Sequence, residues 1–277
     1  MNDQLLRIDH YGSRRPQPPG DHRHHRGSGA HTHGAPDPGR VPGAPLGSGA
    51  RAASTAVDVH MHLLAANDRH AQAIRALLAE HGVFAANLMS SPGAGKTALL
   101  EATLARLGGD LRLAVIEGDI ETTADADRLA PYGIPVVQIN TGPFGGDCHL
   151  AAPLVAGALE KMELPGLDAL IVENVGNLVC PAEFDIGEDR KVVLLSVTEG
   201  EDKPLKYPLM FHEAHVVLVT KIDLLPHLDA DLDLIRTNVR KVNPRIPLLP
   251  LSARTGEGME AWLAWLREGV AAKRARR

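Results

Sequence analysis

Short apolar runs alternate with amphipathic segments along most of the chain. The runs have the length of buried strands, and the segments between them repeat apolar positions every three or four residues, as helices do. Predicted strands begin at Val83 and then cover Arg112–Glu117, Ile134–Ile139, Ala169–Glu173, Val192–Val197, Val216–Thr220 and Pro247–Leu251. Predicted helices cover Ala98–Leu107, Ala124–Ala130, Ala151–Met162, Leu232–Val242 and Met259–Ala272. This alternation predicts an α/β fold with a mostly parallel sheet covered by helices on both faces.

The N-terminal segment has a different composition. From His10 to Gly49, glycine and proline supply 16 of 40 residues, and large apolar side chains are nearly absent. Such a segment cannot bury enough surface to offset its conformational entropy, so we expect residues 1–55 to be a disordered tail. Apolar residues return at helical spacing from Ser54 to His81. They predict a lead-in helix to a folded domain spanning residues 56–277.

The predicted tail also carries a group of histidines. They are His10, His22, His24, His25, His31 and His33. Imidazole binds nickel and zinc, so a mobile cluster of this kind can hold such a metal weakly and without fixed geometry. A polar tail or an expression tag that happens to contain histidine explains the same residues. Both interpretations remain open at this point.

Composition and charge exclude several classes of function. The formal net charge of −5 and an aromatic content of 3% give no reason to expect nucleic-acid binding. No apolar run is long enough to span a membrane, and the polar N-terminus lacks a signal-peptide core. Two cysteines in 277 residues argue against a disulfide framework and for a reducing compartment. We therefore expect a cytoplasmic protein that binds neither nucleic acid nor membrane.

The segment Ser90–Thr97 joins the first predicted strand to the first predicted helix. Its small residues are Gly93, Ala94 and Gly95. They let backbone N–H groups turn inward on phosphate oxygens, and the helix N-terminus adds the positive end of its dipole. Lys96 would supply a positive charge to the β- and γ-phosphates, and the Thr97 hydroxyl would ligate Mg²⁺. Although Ser90 replaces the first glycine of the usual pattern, the segment predicts a P-loop nucleotide site in a P-loop NTPase fold.

Two further loops indicate which base is bound. Lys221 and Asp223 follow the strand Val216–Thr220 in the order Thr-Lys-x-Asp. The Asp223 carboxylate can accept hydrogen bonds from N1–H and the 2-amino group of guanine, a pair of donors that adenine lacks. A surface Lys/Asp turn explains the same four residues. However, Ser252 and Ala253 follow one strand–helix unit later and resemble a second guanine-contacting loop, so we expect GTP and GDP.

Acidic residues end two other predicted strands. Glu173 can hold the magnesium shell through water, and the backbone amide of Gly176 can meet the γ-phosphate. Asp119 is a candidate magnesium-binding or water-positioning carboxylate, with Asp125 a weaker candidate in the same loop; ordinary turn acids explain both. No general-base dyad is evident. The predicted catalytic residues are therefore Lys96, Asp119 and Glu173, which would act by positioning and charge neutralisation with slow intrinsic turnover.

The two cysteines suggest a second metal site. Cys148 is followed directly by His149 on a glycine-rich loop, and Cys180 lies four residues beyond Gly176. Buried structural cysteines and a surface histidine explain these residues too. Three thiolate or imidazole ligands leave an open position, or a place for a second copy of the chain, whereas a closed structural site has four ligands. A shift of the Gly176 loop on binding γ-phosphate would then change the metal site.

Four segments together carry a resemblance to a known family. They are residues 90–97, 146–150, 173–181 and 198–208. The chain, from about Val57 to its C-terminus, is similar to the nickel-insertion GTPases of hydrogenase maturation, the HypB family. The resemblance implies the fold of the dimerising P-loop GTPases, a homodimer favoured by GTP, and slow conversion of GTP to GDP and phosphate.

The resemblance also implies ligands and partners. Cys148, His149 and Cys180 match the family's nickel or zinc site near the dimer interface. The matches to its nucleotide-site motifs are Lys96, Thr97, Asp119, Glu173, Lys221 and Asp223. The implied partners are the nickel chaperone HypA and the large subunit of a [NiFe] hydrogenase. The tail lacks the Cys-x-x-Cys-Gly-Cys nickel motif of some members and resembles a short version of the histidine-rich stretch of others.

Two alternatives belong to different functional classes. The chain could be a nickel-storage protein in which the tail dominates and hydrolysis is incidental. It could also be a metal-delivery GTPase of the urease type, a family that places its metal ligands as Cys-Pro-His. Here Cys180 and Pro181 are followed by Ala182, and His149 stands beside the other cysteine, which favours the hydrogenase type.

Overall fold

The computed structural model describes residues 5–8, 49–107, 109–119, 124–142 and 149–276. Most of the predicted tail, residues 9–48 with all of its histidines, lies outside these ranges, so its disorder stays a prediction. Two parts of the predicted tail are described: a strand at Leu5–Ile8 and the beginning of a helix at Gly49. That strand and the residues from His62 onwards belong to one compact unit.

The described strands form one parallel sheet. They are β1 Leu5–Ile8, β2 Phe84–Ser90, β3 Leu113–Asp119, β4 Val136–Asn140, β5 Ala169–Glu173, β6 Arg190–Ser196, β7 Val216–Thr220 and β8 Leu248–Pro250. Their order in the sheet is β1-β4-β3-β5-β2-β6-β7-β8. Every described pair is parallel. The carboxyl ends of β2, β3, β5 and β7 therefore meet at one edge of the sheet, where ligands bind in open α/β folds.

Helices connect the strands and cover both faces. They are α1 Gly49–His81, α2 Lys96–Leu107, α3 Ala124–Leu129, α4 Ala152–Leu159, α5 Cys180–Glu183, α6 Lys203–Lys206, α7 Pro208–Glu213, α8 Leu232–Val242 and α9 Met259–Arg274. Two 3₁₀ segments, Ala130–Tyr132 and Ile222–His227, follow α3 and β7. Within the described parts of the chain, no helix has the length and apolar character needed to cross a membrane.

The core consists of layers on the two faces of the sheet. Along β2, Phe84, Ala86 and Leu88 pack towards α2 and α9, whereas Ala85 packs towards α1 and α4. This alternation follows from the two-residue period of a strand. Buried side chains from α7 and α8 form a third cluster over β6 and β7. All of the central strands are therefore buried on both faces, which accounts for their continuous apolar runs.

The predicted fold class is confirmed, including the P-loop arrangement of β2, loop and α2. The bounds of β5, β7 and α8 match the prediction to the residue. The short helices α5, α6 and α7 were not predicted, because four to six residues show little of a helical period. The equally short α3 was predicted, and the 3₁₀ segment Ala130–Tyr132 lengthens it to nine residues. The predicted helix Ala151–Met162 ends earlier, at Leu159, where the chain tightens into i→i−3 hydrogen bonds at Lys161 and Met162.

Candidate nucleotide and metal site

The predicted P-loop lies between β2 and α2 and is built from backbone that only glycine adopts readily. Gly93 and Gly95 have φ angles of 74° and 98°, values that a side chain would strain. Lys96 begins α2 and donates a hydrogen bond to the Ser90 hydroxyl at 3.1 Å. Ser90, which replaces the usual glycine, thus provides a partner for the Lys96 ammonium.

Carboxylates from neighbouring strands converge beside the P-loop. The Thr97 hydroxyl donates to Glu173 Oε1 at 2.9 Å. Glu117 and Glu173 are partners in the register of β3 and β5, and both are buried, with 2% and 3% exposure. Ligand atoms of Glu117, Asp125 and Glu173 lie within 4.8 Å of one another. The residues that line the cleft, from Pro92 to Lys221, include these three acids.

Burial dominates the electrostatics of the paired glutamates. The pKa of Glu117 is raised well above 4.5 by burial and then by the neighbouring Glu173 carboxylate. Burial also raises the pKa of Glu173, against the opposing effect of the Lys96 ammonium. A side-chain hydrogen bond between the two carboxyl groups adds to these effects, and within the described part of the protein no other donor reaches Glu117 Oε2 or Glu173 Oε2. Oxygen-rich, under-coordinated carboxylates next to a threonine hydroxyl suit a hard divalent cation such as Mg²⁺.

Sequence reasoning missed Glu117. It is a single acid inside an apolar strand, and its position beside Glu173 depends on the register between β3 and β5. The predicted Asp119 also lines the cleft at the end of β3, but it is outside the close group of three acids. Its role as a magnesium or water-positioning residue stays a prediction, as does that of Gly176, which lines the same cleft.

The predicted guanine-binding residues line an adjoining cavity. Asp223, Ser252, Ala253 and Arg254 all contribute to its wall. The Ser252 hydroxyl donates to Asp223 Oδ1 at 2.6 Å, and Arg254 Nη1 lies 3.9 Å from Asp223 Oδ2. Ser252 thus orients a carboxylate that still has lone pairs for a ligand. The geometry suits the recognition of two adjacent N–H donors.

The β7 loop also braces the P-loop. Thr220 Oγ1 donates to the Ala94 carbonyl at 2.7 Å, and Lys221 Nζ donates to the Gly93 carbonyl at 2.6 Å. Lys221 has φ 61°, a positive value found at no other non-glycine residue that the structure describes. The strained backbone directs the Lys221 side chain across the P-loop, in agreement with a stem that covers a base bound beside it.

The predicted transition-metal ligands fall partly outside the described residues. Cys148 lies in the undescribed range 143–148. The ring of His149 packs against that of Phe184, with centroids 4.1 Å apart and planes tilted by 35°, and Phe184 directly follows α5, which Cys180 begins. Asn177 Nδ2 lies 3.7 Å from Cys180 Sγ. The structure therefore brings His149 to the side of the Cys180 helix.

The described residues among the predicted transition-metal ligands lie near the nucleotide cleft. Gly176 lies so close to the P-loop that an added Cβ would be 2.9 Å from Pro92 Cα. Cys180 is four residues further along the same loop. The loop 173–180 thus connects the P-loop and the carboxylates to the Cys180 helix over a short stretch of chain.

Comparison with known proteins agrees with this geometry. The profile of the family described as "CobW/HypB/UreG, nucleotide-binding domain" matches residues 84–250. The hydrogenase maturation factor HypB of Azotobacter chroococcum is 53% identical over 226 residues, which cover 80% of this chain and 72% of that protein. The Escherichia coli HypB is 49% identical over 210 residues, covering 76% of this chain and 71% of that protein.

Solved structures give the same result. HypB from Archaeoglobus fulgidus superposes with a TM-score of 0.70 at 37% identity, covering 75% of this chain and all of that one. HypB from Helicobacter pylori, solved in complex with nickel, has the same TM-score and identity and covers 74% of this chain and 95% of that one. A family profile that matches more than half of the chain, relatives of about 50% identity and these folds lead to one conclusion. The chain belongs to the HypB family of P-loop GTPases.

Proposed function

We propose that this protein is a GTP-hydrolysing nickel metallochaperone of [NiFe] hydrogenase maturation, acting in the cytoplasm as a homodimer when GTP is bound. Relatives named hydrogenase maturation factors support the pathway. A HypB structure solved in complex with nickel supports the metal. The proposed partners are the nickel chaperone HypA and the hydrogenase large subunit. Zn²⁺ is the alternative occupant of the same Cys/His site.

The proposed nucleotide chemistry assigns roles to the residues of the cleft. Backbone N–H groups of Gly93, Ala94 and Gly95 hold the phosphates, and Lys96 leaves Ser90 to neutralise the β- and γ-phosphates. Asp223, oriented by Ser252, reads guanine.

The buried acids and Thr97 would hold Mg²⁺, which supplies charge neutralisation on the phosphates when bound. Such a cation would favour the charged form of both carboxyl groups and so oppose the burial that raises the pKa of Glu117 and Glu173. The described residues offer carboxylates but no histidine base in the cleft. The chain would therefore accelerate hydrolysis by orienting water and phosphate, which fits slow turnover.

Nickel is the cargo, and its proposed ligands are Cys148, His149 and Cys180. Three ligands leave an open coordination position, which suits a metal that must be passed on. One observation carries the proposal: the His149 ring packs on Phe184, at the end of the helix that Cys180 begins, and that helix begins four residues after Gly176, which lines the nucleotide cleft. A change at the γ-phosphate can therefore reach the metal ligands through a few residues.

The test is the Ni²⁺ and Zn²⁺ affinity of the full chain with the non-hydrolysable analogue GMPPNP, with GDP, and without nucleotide. We expect the affinity to differ at least fivefold between the GMPPNP and GDP states, with sedimentation showing a dimer in the GMPPNP state. Equal affinities in all three states would contradict a nucleotide-controlled metal site.

A further inference from the structure

Two buried asparagine side chains hold the chain around the proposed metal loops. Asn174 and Asn67 are only 1% and 4% exposed. Buried amides are costly unless their donors and acceptors are paired. Their hydrogen-bond partners therefore show which parts of the chain each asparagine fixes in place.

Asn174 joins the nucleotide loop to the chain that follows the metal loop. Its Oδ1 accepts hydrogen bonds from the backbone N–H groups of Leu150 and Val175, both at 3.0 Å. Its Nδ2 donates to Asn87 Oδ1 at 3.2 Å. The backbone N–H of Asn174 donates to the Leu88 carbonyl at 3.0 Å. The Oδ1 atom of Asn174 thus connects the loop 173–176 to Leu150. Asn87 and Leu88 of β2 hold Asn174 from the other side.

Leu150 is well placed to pass a movement to the metal ligands. It directly follows His149, and its side chain is packed on the end of β3 so closely that a Cβ on Gly118 would be 2.8 Å from Leu150 Cγ. Asn174 itself lines the nucleotide cleft two residues before Gly176. A displacement of Asn174 by the γ-phosphate would therefore move the amide that positions His149.

Asn67, from α1, makes a comparable connection between two segments that lie outside the nucleotide cleft. Its Oδ1 accepts from the Ala152 N–H at 2.8 Å, and its Nδ2 donates to the Asp185 carbonyl at 2.7 Å. It thereby joins the chain after His149 to the chain after the Cys180 helix. Neither of these two partners lines the nucleotide cleft.

We propose that Asn174 is a positioning residue that couples the γ-phosphate to His149 through the Leu150 backbone, while Asn67 sets the spacing between Ala152 and Asp185, which follow His149 and Cys180 along the chain, in every nucleotide state. This inference rests on the proposed function and names the residue that transmits the signal. The coupling is reciprocal, so bound metal would favour whichever nucleotide state binds it more tightly, through the same amide.

The experiment compares the wild type with Asn174→Ala and the matched control Asn67→Ala. For each full chain, Ni²⁺ affinity is measured by competition with a chromophoric chelator in the presence of GMPPNP and of GDP. We expect a ratio of at least about fivefold in the wild type, the lower end of typical allosteric coupling, and less than twofold in Asn174→Ala. Asn67→Ala should weaken Ni²⁺ binding equally in both states and keep the wild-type ratio.

Each other outcome decides the question. A ratio near one in the wild type would overturn the proposed nucleotide control and this inference with it. A wild-type ratio that persists in Asn174→Ala would overturn the role of Asn174 and leave the proposed function intact. If the Ni²⁺ affinities with GMPPNP and GDP became equal in both variants, the role of Asn174 would also be overturned, because a general loss of rigidity would then explain the result.

A second measurement does not depend on how well the variant folds. Amide hydrogen exchange in the wild type should show the protection of Leu150 and Val175 changing together when GMPPNP replaces GDP. These two amides share one acceptor, so they should respond as a pair. Unchanged protection at Leu150 would overturn the proposal.

Discussion

Asp223→Asn provides the sharpest test of the guanine site. A carboxylate can accept two charge-assisted hydrogen bonds from guanine, each worth about 1.5–3 kcal/mol. The substitution keeps one acceptor and turns a donor towards the other guanine N–H. The loss of one such bond and the new donor–donor contact should cost about 3–4 kcal/mol, which weakens GTP binding roughly 10²–10³-fold. Xanthosine triphosphate carries a carbonyl at that position, so it should bind the variant more tightly than GTP.

The bond from Ser252 to Asp223 allows a graded version of the same test. Ser252→Ala removes a 2.6 Å hydrogen bond that orients the carboxylate without removing an acceptor. It should cost about 1 kcal/mol, or roughly fivefold in GTP affinity. Isothermal titration with GTP, GDP and xanthosine triphosphate measures all of these effects.

The control for charge alone is Asp229→Asn. Asp229 is an exposed acid six residues along the same segment, and its substitution should leave GTP affinity within about twofold. The reasoning would be refuted if Asp223→Asn bound GTP within threefold of the wild type, or if it did not prefer xanthosine triphosphate.

Three further predictions concern other parts of the structure. Thr97→Ala removes the hydroxyl beside Glu173 and should lower Mg²⁺-dependent GTP turnover at least tenfold, whereas Thr97→Ser should restore it. Unchanged phosphate release in Thr97→Ala would contradict the proposal that Thr97 is a magnesium ligand. Burial raises the pKa of Glu188 from 4.5 to about 6, so the protonated form is the one that the fold favours. Glu188 should therefore lower the unfolding free energy by about 2 kcal/mol as pH rises from 4.5 through 6. In denaturant titrations the fall in stability over this range should be about 2 kcal/mol smaller in Glu188→Gln than in the wild type; an equal fall in both proteins would contradict the prediction. Trp262→Phe loses a 2.9 Å hydrogen bond to Thr103 in the core and should lower the unfolding free energy by about 1–3 kcal/mol, measured by urea unfolding followed by circular dichroism. A loss below about 0.5 kcal/mol would show that this hydrogen bond contributes little to stability.

The elements that depend on local pattern could be predicted from the sequence. The strands β5 and β7 are continuous apolar runs ended by a polar residue, and α8 has both an amphipathic period and Asp231 as a side-chain cap. The P-loop could be predicted because its chemistry is concentrated in consecutive residues. Such features need no knowledge of distant contacts.

The features that were missed depend on strand register or on long-range contacts. Glu117 becomes part of the site only because β3 and β5 place it opposite Glu173. Asn67 and Asn174 gain their roles from partners that are 85 and 24 residues away along the chain. A single buried amide in a sequence carries no periodic signal and no motif, so only the folded arrangement identifies its partner.

The two hydrogen bonds from Thr220 and Lys221 to P-loop carbonyls have a consequence for discrimination between nucleotides. They fix the predicted guanine-binding loop to the P-loop, so on the proposed function a base that fits badly would also displace the triphosphate from the position needed for attack by water. Selectivity for GTP should then persist when another nucleotide is present at saturating concentration, because that nucleotide would be hydrolysed at a lower maximal rate as well as bound more weakly.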